Sequence, residues 1–139
     1  MLTTVTLQTP PGDALVDITP LVREAVQEIA QQTGLEGGLC ALIVPHTTAA
    51  ITVNSALDPT TPQDIIDELR RLVPTRVDFR HQYDTPADAA GHIKAALIGH
   101  SLMLPIENGD LVLGGSQSIL FYEFDGPRQR RVQIKVLAG

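Results

Sequence analysis

Four histidines, His46, His81, His92 and His100, are the residues of this 139-residue chain best suited to carry chemistry. A neutral imidazole ligates metal ions, and it exchanges protons close to neutral pH. His46 follows an apolar run and stands at a predicted strand end. His81 falls in a polar stretch. His92 sits in the first turns of a predicted helix, and His100 follows Gly99 where that helix stops, the place of a C-terminal cap. The four do not form a contiguous zinc motif. A shared site therefore needs a fold that brings distant segments together, and a hydrogen-bonded structural role is the competing reading for each.

The acidic residues divide by context. Asp58 precedes Pro59 and suits the start of a turn. Asp64 lies near a predicted helix start, where the macrodipole favours negative charge. Glu123 belongs to the run Gln117-Ser118-Ile119-Leu120-Phe121-Tyr122-Glu123-Phe124, in which period two places Gln117, Ile119, Phe121 and Glu123 on one face. A carboxylate on an apolar face calls for a cation, a metal or a solvated mouth; if the Tyr122 face is the buried one, Glu123 is simply exposed. Gly114-Gly115-Ser116 reads as a plain turn or as a backbone anion nest. The cluster Arg128, Arg130, Arg131 and Lys135 is short and lacks interleaved aromatics, so it reads as a phosphate contact or an interface.

These residues hang on elements that the pattern predicts. Residues 4–8 alternate as a strand, stopped by Pro10, Pro11 and Gly12. Thr19 suits an N-cap with Pro20 at the first helical position, and Gly34 closes that helix. Residues 39–45 read as a strand buried on both faces, and Ile51 and Val53 mark another strand nearby. A second helix starts at Thr61 and Pro62 and stops at Pro74; residues 78–86 read as a loop; a short helix covers 89–98. Strands follow at 102–106, 111–113, 117–124 and 130–137, with Asn108-Gly109 as a hairpin turn. The last two are expected to form an antiparallel hairpin closed by Asp125-Gly126-Pro127-Arg128. Helices early and strands late favour an α+β fold over a doubly wound sheet.

Composition bounds the rest. The length fits one domain, residues 1–139, with 43% hydrophobic and 19% charged residues. Three Phe, two Tyr and no Trp leave the core to aliphatic side chains. The formal net charge of −6 argues against nucleic acid as a partner. Cys40, the one cysteine, lies in an apolar run and reads as a buried thiol; no intramolecular disulfide is possible. The N-terminus lacks the order of a signal peptide, and no apolar run is long enough to span a bilayer. The expectation is a cytoplasmic protein with no membrane partner.

Taken together, several stretches resemble the YjbQ-like family. They are His46-Thr47-Thr48-Ala49-Ala50-Ile51-Thr52-Val53-Asn54, then Asp58-Pro59 and Asp64, then His92-Ile93-Lys94-Ala95-Ala96-Leu97-Ile98-Gly99. Leu113-Gly114, Gln117, Glu123-Phe124-Asp125-Gly126-Pro127-Arg128 and Arg130-Arg131 complete the set, which spans residues 2–138. The resemblance implies an α+β fold with a mainly antiparallel, sandwich-like core and about three helices, assembled as a homotrimer with pockets at subunit contacts. It implies a divalent metal, zinc or magnesium, at His46, His81 and His92, and an anionic small-molecule substrate. The implied activity is that of a secondary thiamine-phosphate synthase, which joins hydroxymethylpyrimidine diphosphate to thiazole phosphate and releases pyrophosphate. On this reading His46, Asp58 and Asp64 are catalytic, Lys94 and Arg128 contact phosphate, and Thr47, Thr48, Asn54 and Gln117 orient the substrate. Two positions depart from the family pattern: Ser55 stands where Glu is usual, and Gly115-Ser116 where Thr-Trp is usual. His100 stands where small residues are usual. A non-catalytic module that binds metal and an anion is the alternative, and an assembly protein with structural histidines is a third reading.

Overall fold

A computed structural model describes residues 2–82 and 84–139. Among them, strands β1 (Leu2–Gln8) and β2 (Gly12–Asp17) precede helix α1 (Thr19–Thr33). Strands β3 (Gly38–Ile43) and β4 (Ala49–Asn54) lead to helices α2 (Thr60–Leu72) and α3 (Pro86–Ile98). Strands β5 (Ser101–Glu107), β6 (Asp110–Leu111), β7 (Ser118–Gly126) and β8 (Gln129–Ala138) complete the chain. They form one sheet in the order β1-β8-β3-β5-β6 and another in the order β2-β7-β4, with every neighbouring pair antiparallel. The fold is α+β, as the sequence pattern predicts.

The core lies between the sheets. Cys40, Leu42, Leu104, Ile106, Val132 and Ile134 of the first sheet meet Ala49, Ile51, Ile119 and Phe121 of the second, and Val22 and Val26 of α1 pack into the same cluster. Burial pushes the Cys40 thiol up to about 11, so it behaves as a core hydrophobe. The other face of the second sheet is covered by helices: Ala50, Tyr122 and Phe124 pack against Ile66 and Leu69 of α2, with Ala95 and Ile98 of α3 alongside. Strand β7 is thus buried on both faces.

Local signals behave as their chemistry requires. Asn108 and Gly109 have φ of 53° and 72°, the left-handed pair that a two-residue hairpin between β5 and β6 needs. Gly34 ends α1 at φ 72°. The N-cap of α1 is Ile18, not Thr19; the Thr19 hydroxyl instead accepts the Ile119 N–H at 2.8 Å. Helix α3 begins three residues earlier than predicted, capped by Thr85, whose hydroxyl accepts the Asp88 N–H at 3.2 Å. Residues 78–82 and 84–85 are non-helical, as the loop reading requires; Tyr83 lies outside the described residues.

Three expectations are corrected. Strands β7 and β8 do not form a hairpin. β7 pairs with β2 and β4 in one sheet, and β8 with β1 and β3 in the other, so residues 125–128 are a corner between sheets. The corner is tied to the end of β1 by the Thr9 N–H, which donates to the Arg128 carbonyl at 2.9 Å. Strand β3 is buried on one face, through Cys40 and Leu42, while Leu39 on its outer face is 43% exposed. Strand β2 went unpredicted because Pro10-Pro11-Gly12 reads as a stop; Gly12, at φ 74°, and a bulge carry the chain straight into a new strand.

Candidate metal centre

The first turns of α3 carry Asp88 and His92, four residues apart and therefore on one helix face. The preceding loop brings His81 to the same point. His81 Nε2 lies 2.8 Å and His92 Nε2 3.2 Å from a single oxygen, Asp88 Oδ2. One ligand atom from each of the three residues falls within 4.8 Å of the others. The imidazole rings meet edge to face with centroids 5.1 Å apart. Asp88 is buried while both histidines keep a solvent-facing side. Burial would raise the Asp88 carboxyl, but the His81 hydrogen bond and the nearby imidazoles hold it below its ordinary range.

Two imidazole nitrogens and a carboxylate oxygen are a donor set that zinc takes, with a position left open for water or substrate. Magnesium prefers an all-oxygen shell, so this set suits it less well. The residues therefore fit a divalent ion of the borderline, nitrogen-loving kind.

His46 stands outside this group. Its Nε2 accepts the backbone N–H of Arg131 at 2.9 Å. Burial, followed by the charges of Arg130 and Arg131, holds its pKa below the ordinary 6.5. His46 and His92 nonetheless face one cavity of about 530 Å³, shared with Thr47 and His100 and walled by Val44, Ala49, Ala95 and Ala96. His92 also borders a second hollow with His81 and Phe79, so it joins the trio to the cavity.

Behind His46 lies a buried ion pair. Arg130 donates from Nε to Glu123 Oε1 at 2.8 Å and from Nη2 to Glu123 Oε2 at 2.5 Å. The same Nη2 reaches Thr48 Oγ1 at 2.9 Å, and the Thr9 hydroxyl donates to Glu123 Oε1 at 2.6 Å. Of the partners that the sequence left open for Glu123, the structure supplies a cation.

The remaining predicted residues are dispersed. Lys94 is buried, and its ammonium lies 2.7 Å from Asp13 Oδ2 of β2 and 5.8 Å from the Phe124 ring centroid. Arg128 is paired with Asp125 at 2.8 Å on the surface. Thr47 is exposed at the cavity. Asn54 and Gln117 lie at the opposite end of β4 from His46, where Asn54 sits opposite Ser118 and Gln117 accepts the Gly114 N–H at 2.7 Å. Six strand residues separate the two ends, about 17 Å at 3.3 Å per step. Asp58 organises the start of α2, accepting the Thr60 N–H at 2.9 Å and hydroxyl at 2.7 Å; Asp64 is exposed on that helix. Sequence reasoning missed Asp88, although its spacing to His92 was a readable signal.

Comparison with known proteins agrees with this architecture. The family model described as "UPF0047 protein YjbQ-like" matches residues 3–139. A UPF0047 protein of Archaeoglobus fulgidus is 40% identical over 133 residues, covering 95% of this chain and 98% of its own. The UPF0047 protein YugU of Bacillus subtilis is 37% identical over 139 residues, covering 99% of each. The crystal structure of a YbjQ-like protein of unknown function from Sulfolobus solfataricus superposes with a TM-score of 0.89 at 28% identity, covering 100% of this chain and 97% of that one. Among the described residues no helix is long and apolar enough to cross a membrane. With the family model matching residues 3–139 and relatives of 37–40% identity matching nearly the full length, this chain belongs to the YjbQ-like family, UPF0047.

Proposed function

We propose that this chain is a divalent-metal enzyme of the thiamine-phosphate synthase type. The pyrimidine CH₂–O bond to diphosphate breaks, the thiazole nitrogen forms the new bond to that carbon, and pyrophosphate leaves with the bonding electron pair. The observation that carries the reading is the convergence of His81, Asp88 and His92 on one point beside a cavity of substrate size. A divalent cation held there supplies positive charge to the departing phosphate oxygens. His92 spans the trio and the cavity wall, and Thr47 offers a hydroxyl to orient the substrate. The resemblance adds Asn54, Gln117, Asp58 and Asp64, which one chain holds at the far end of β4, in the turn before α2 and on α2; a homotrimer supplies a way for one subunit's far end to meet another's histidines.

Turnover is expected to be weak. Ser55 offers a hydroxyl where the resemblance implies a carboxylate, and here it accepts the Leu57 N–H at 3.3 Å. Ser116 gives up an aromatic surface that contributes roughly 0.5–1.5 kcal/mol beyond burial when rings pair. These two positions favour the second reading, a module that binds metal and an anionic small molecule without turnover. Purified protein with saturating zinc and both precursors separates the readings. Pyrophosphate release that rises in Ser55→Glu or Ser116→Trp supports the enzyme. Absence of turnover in all three proteins, with metal still bound, supports the module.

A further inference from the structure

Strand β3 leaves its sheet after Ile43, which sits opposite Gln133 of β8. Two residues before Gln133 on β8, the N–H of Arg131 has lost its strand neighbour on that side. The imidazole of His46 fills the gap, with Nε2 accepting that N–H at 2.9 Å. A backbone amide can only donate, so Nε2 must keep its lone pair, and the single proton of the neutral ring must then sit on Nδ1. Nδ1 makes no hydrogen bond among the described residues.

We propose that His46 serves as a fixed Nδ1–H donor to an oxygen of an anionic ligand in the cavity, and not as a metal ligand. Coordination through Nε2 would displace the Arg131 N–H. Coordination through Nδ1 would move the ring proton to Nε2 and set two N–H groups against each other. Among the described residues, the cavity that His46 faces has no carboxylate in its wall, and its other polar side chains are those of Thr47, His92 and His100. Besides burial, the charges of Arg130 and Arg131 act on the His46 ring, opposed in part by the carboxylate of Glu123 that Arg130 holds. Phosphate or carboxylate oxygen is the acceptor that such a wall selects. His100 lines the same cavity and adds a third imidazole beside His46 and His92.

The ligand class rests on the proposed function; the tautomer does not. Long-range proton–nitrogen correlation NMR on protein with labelled histidine tests the tautomer directly, using His46→Ala to assign the signals. The expected result is a pyrrole-like Nδ1 and a pyridine-like Nε2 for His46, unchanged on adding zinc, while His81 and His92 nitrogens shift. Pyrophosphate should move the Nδ1 signal, and His46→Ala should weaken pyrophosphate binding about tenfold or more, the scale of one hydrogen bond to a charged group. Zinc affinity should stay within about twofold in that variant, a negligible change in free energy. An Nε2–H tautomer, a zinc-induced shift of His46 to a metal-bound pattern, or unaltered pyrophosphate binding in the variant would overturn the assignment. If zinc binds nowhere, the metal reading fails while the tautomer and pyrophosphate results still judge His46.

Discussion

Arg130 of β8 grips Glu123 of β7 with two nitrogens, at 2.8 and 2.5 Å, and so joins the two sheets by their most buried charges. Their side chains are 6% and 0% exposed. Breaking such a pair from one side strands a charge in the core, at a cost of about 3–5 kcal/mol. Arg130→Met and Glu123→Leu should each destabilise the fold by that order in urea titrations, whereas the double variant should lose less than the sum. Additive losses would show that the two side chains do not act as a pair.

The same carboxylate sets an acid limb. Burial would raise the Glu123 pKa, but hydrogen bonds from Arg130, Thr9 and the Asp125 N–H, with the Arg130 charge, hold it below the ordinary 4.5. A depressed carboxylate stabilises the fold fully above its unfolded pKa and loses that contribution as pH falls through the folded value. Stability should therefore decline below about pH 4.5, the ordinary Glu value. Glu123→Gln should be less stable at pH 7 and show a flatter decline in acid. Parallel curves for the two proteins would exclude Glu123 as the titrating group.

Zinc should raise thermal stability through His81, Asp88 and His92. At a free concentration one hundred times Kd, binding contributes about 2.7 kcal/mol, which for a domain of this size lifts Tm on the order of 10 °C. His92→Ala and Asp88→Asn should abolish most of the increase, and a chelator should reverse it in the parent protein. An undiminished rise in both variants would place the metal elsewhere.

Light scattering at micromolar concentration should give three times the 15.0 kDa chain mass. The physical motive is the outer face of the first sheet, where Leu39, Met103 and Leu137 are 43%, 57% and 52% exposed. Leu39 lies opposite both Pro105 and Leu137, so these three are neighbours, with Met103 one same-face position along β5, and they form an apolar surface of the kind that interfaces cover. A monomer mass would also remove the route by which Asn54 and Gln117 approach another subunit's histidines.

The parts of this fold that were readable in sequence are those decided by nearby residues. Asn108-Gly109 dictates its own turn and Gly34 its own helix end, whereas the run around Cys40 reads as a strand but not as one with an exposed outer face. Pairing partners are a matter of distant chain. Nothing local to residues 125–128 distinguishes a hairpin from a corner, because Asp, Gly and Pro serve both. Helix α3 is apolar nearly all round, so its composition hides which face buries Lys94 against Asp13. At the site, the histidines drew attention to themselves, whereas Asp88 required reading the four-residue helical spacing to His92 from a carboxylate. That Glu123 would need a partner if its own face were buried was legible; that the face is buried and that Arg130 supplies the partner from the other sheet were not.

The two-sided burial of β7 leaves its alignment against β2 and β4 open to error. Ile119, Leu120, Phe121, Tyr122 and Phe124 are all apolar or aromatic and all enclosed, so hydrophobicity alone scarcely distinguishes the native alignment from one slipped by a single residue. Glu123 breaks the tie. A slip would turn its carboxylate towards α2 and α3, away from Arg130, and leave the guanidinium uncompensated in the interior. The lone acid on an otherwise greasy strand thus excludes the nearest misfolded neighbour of the native sheet.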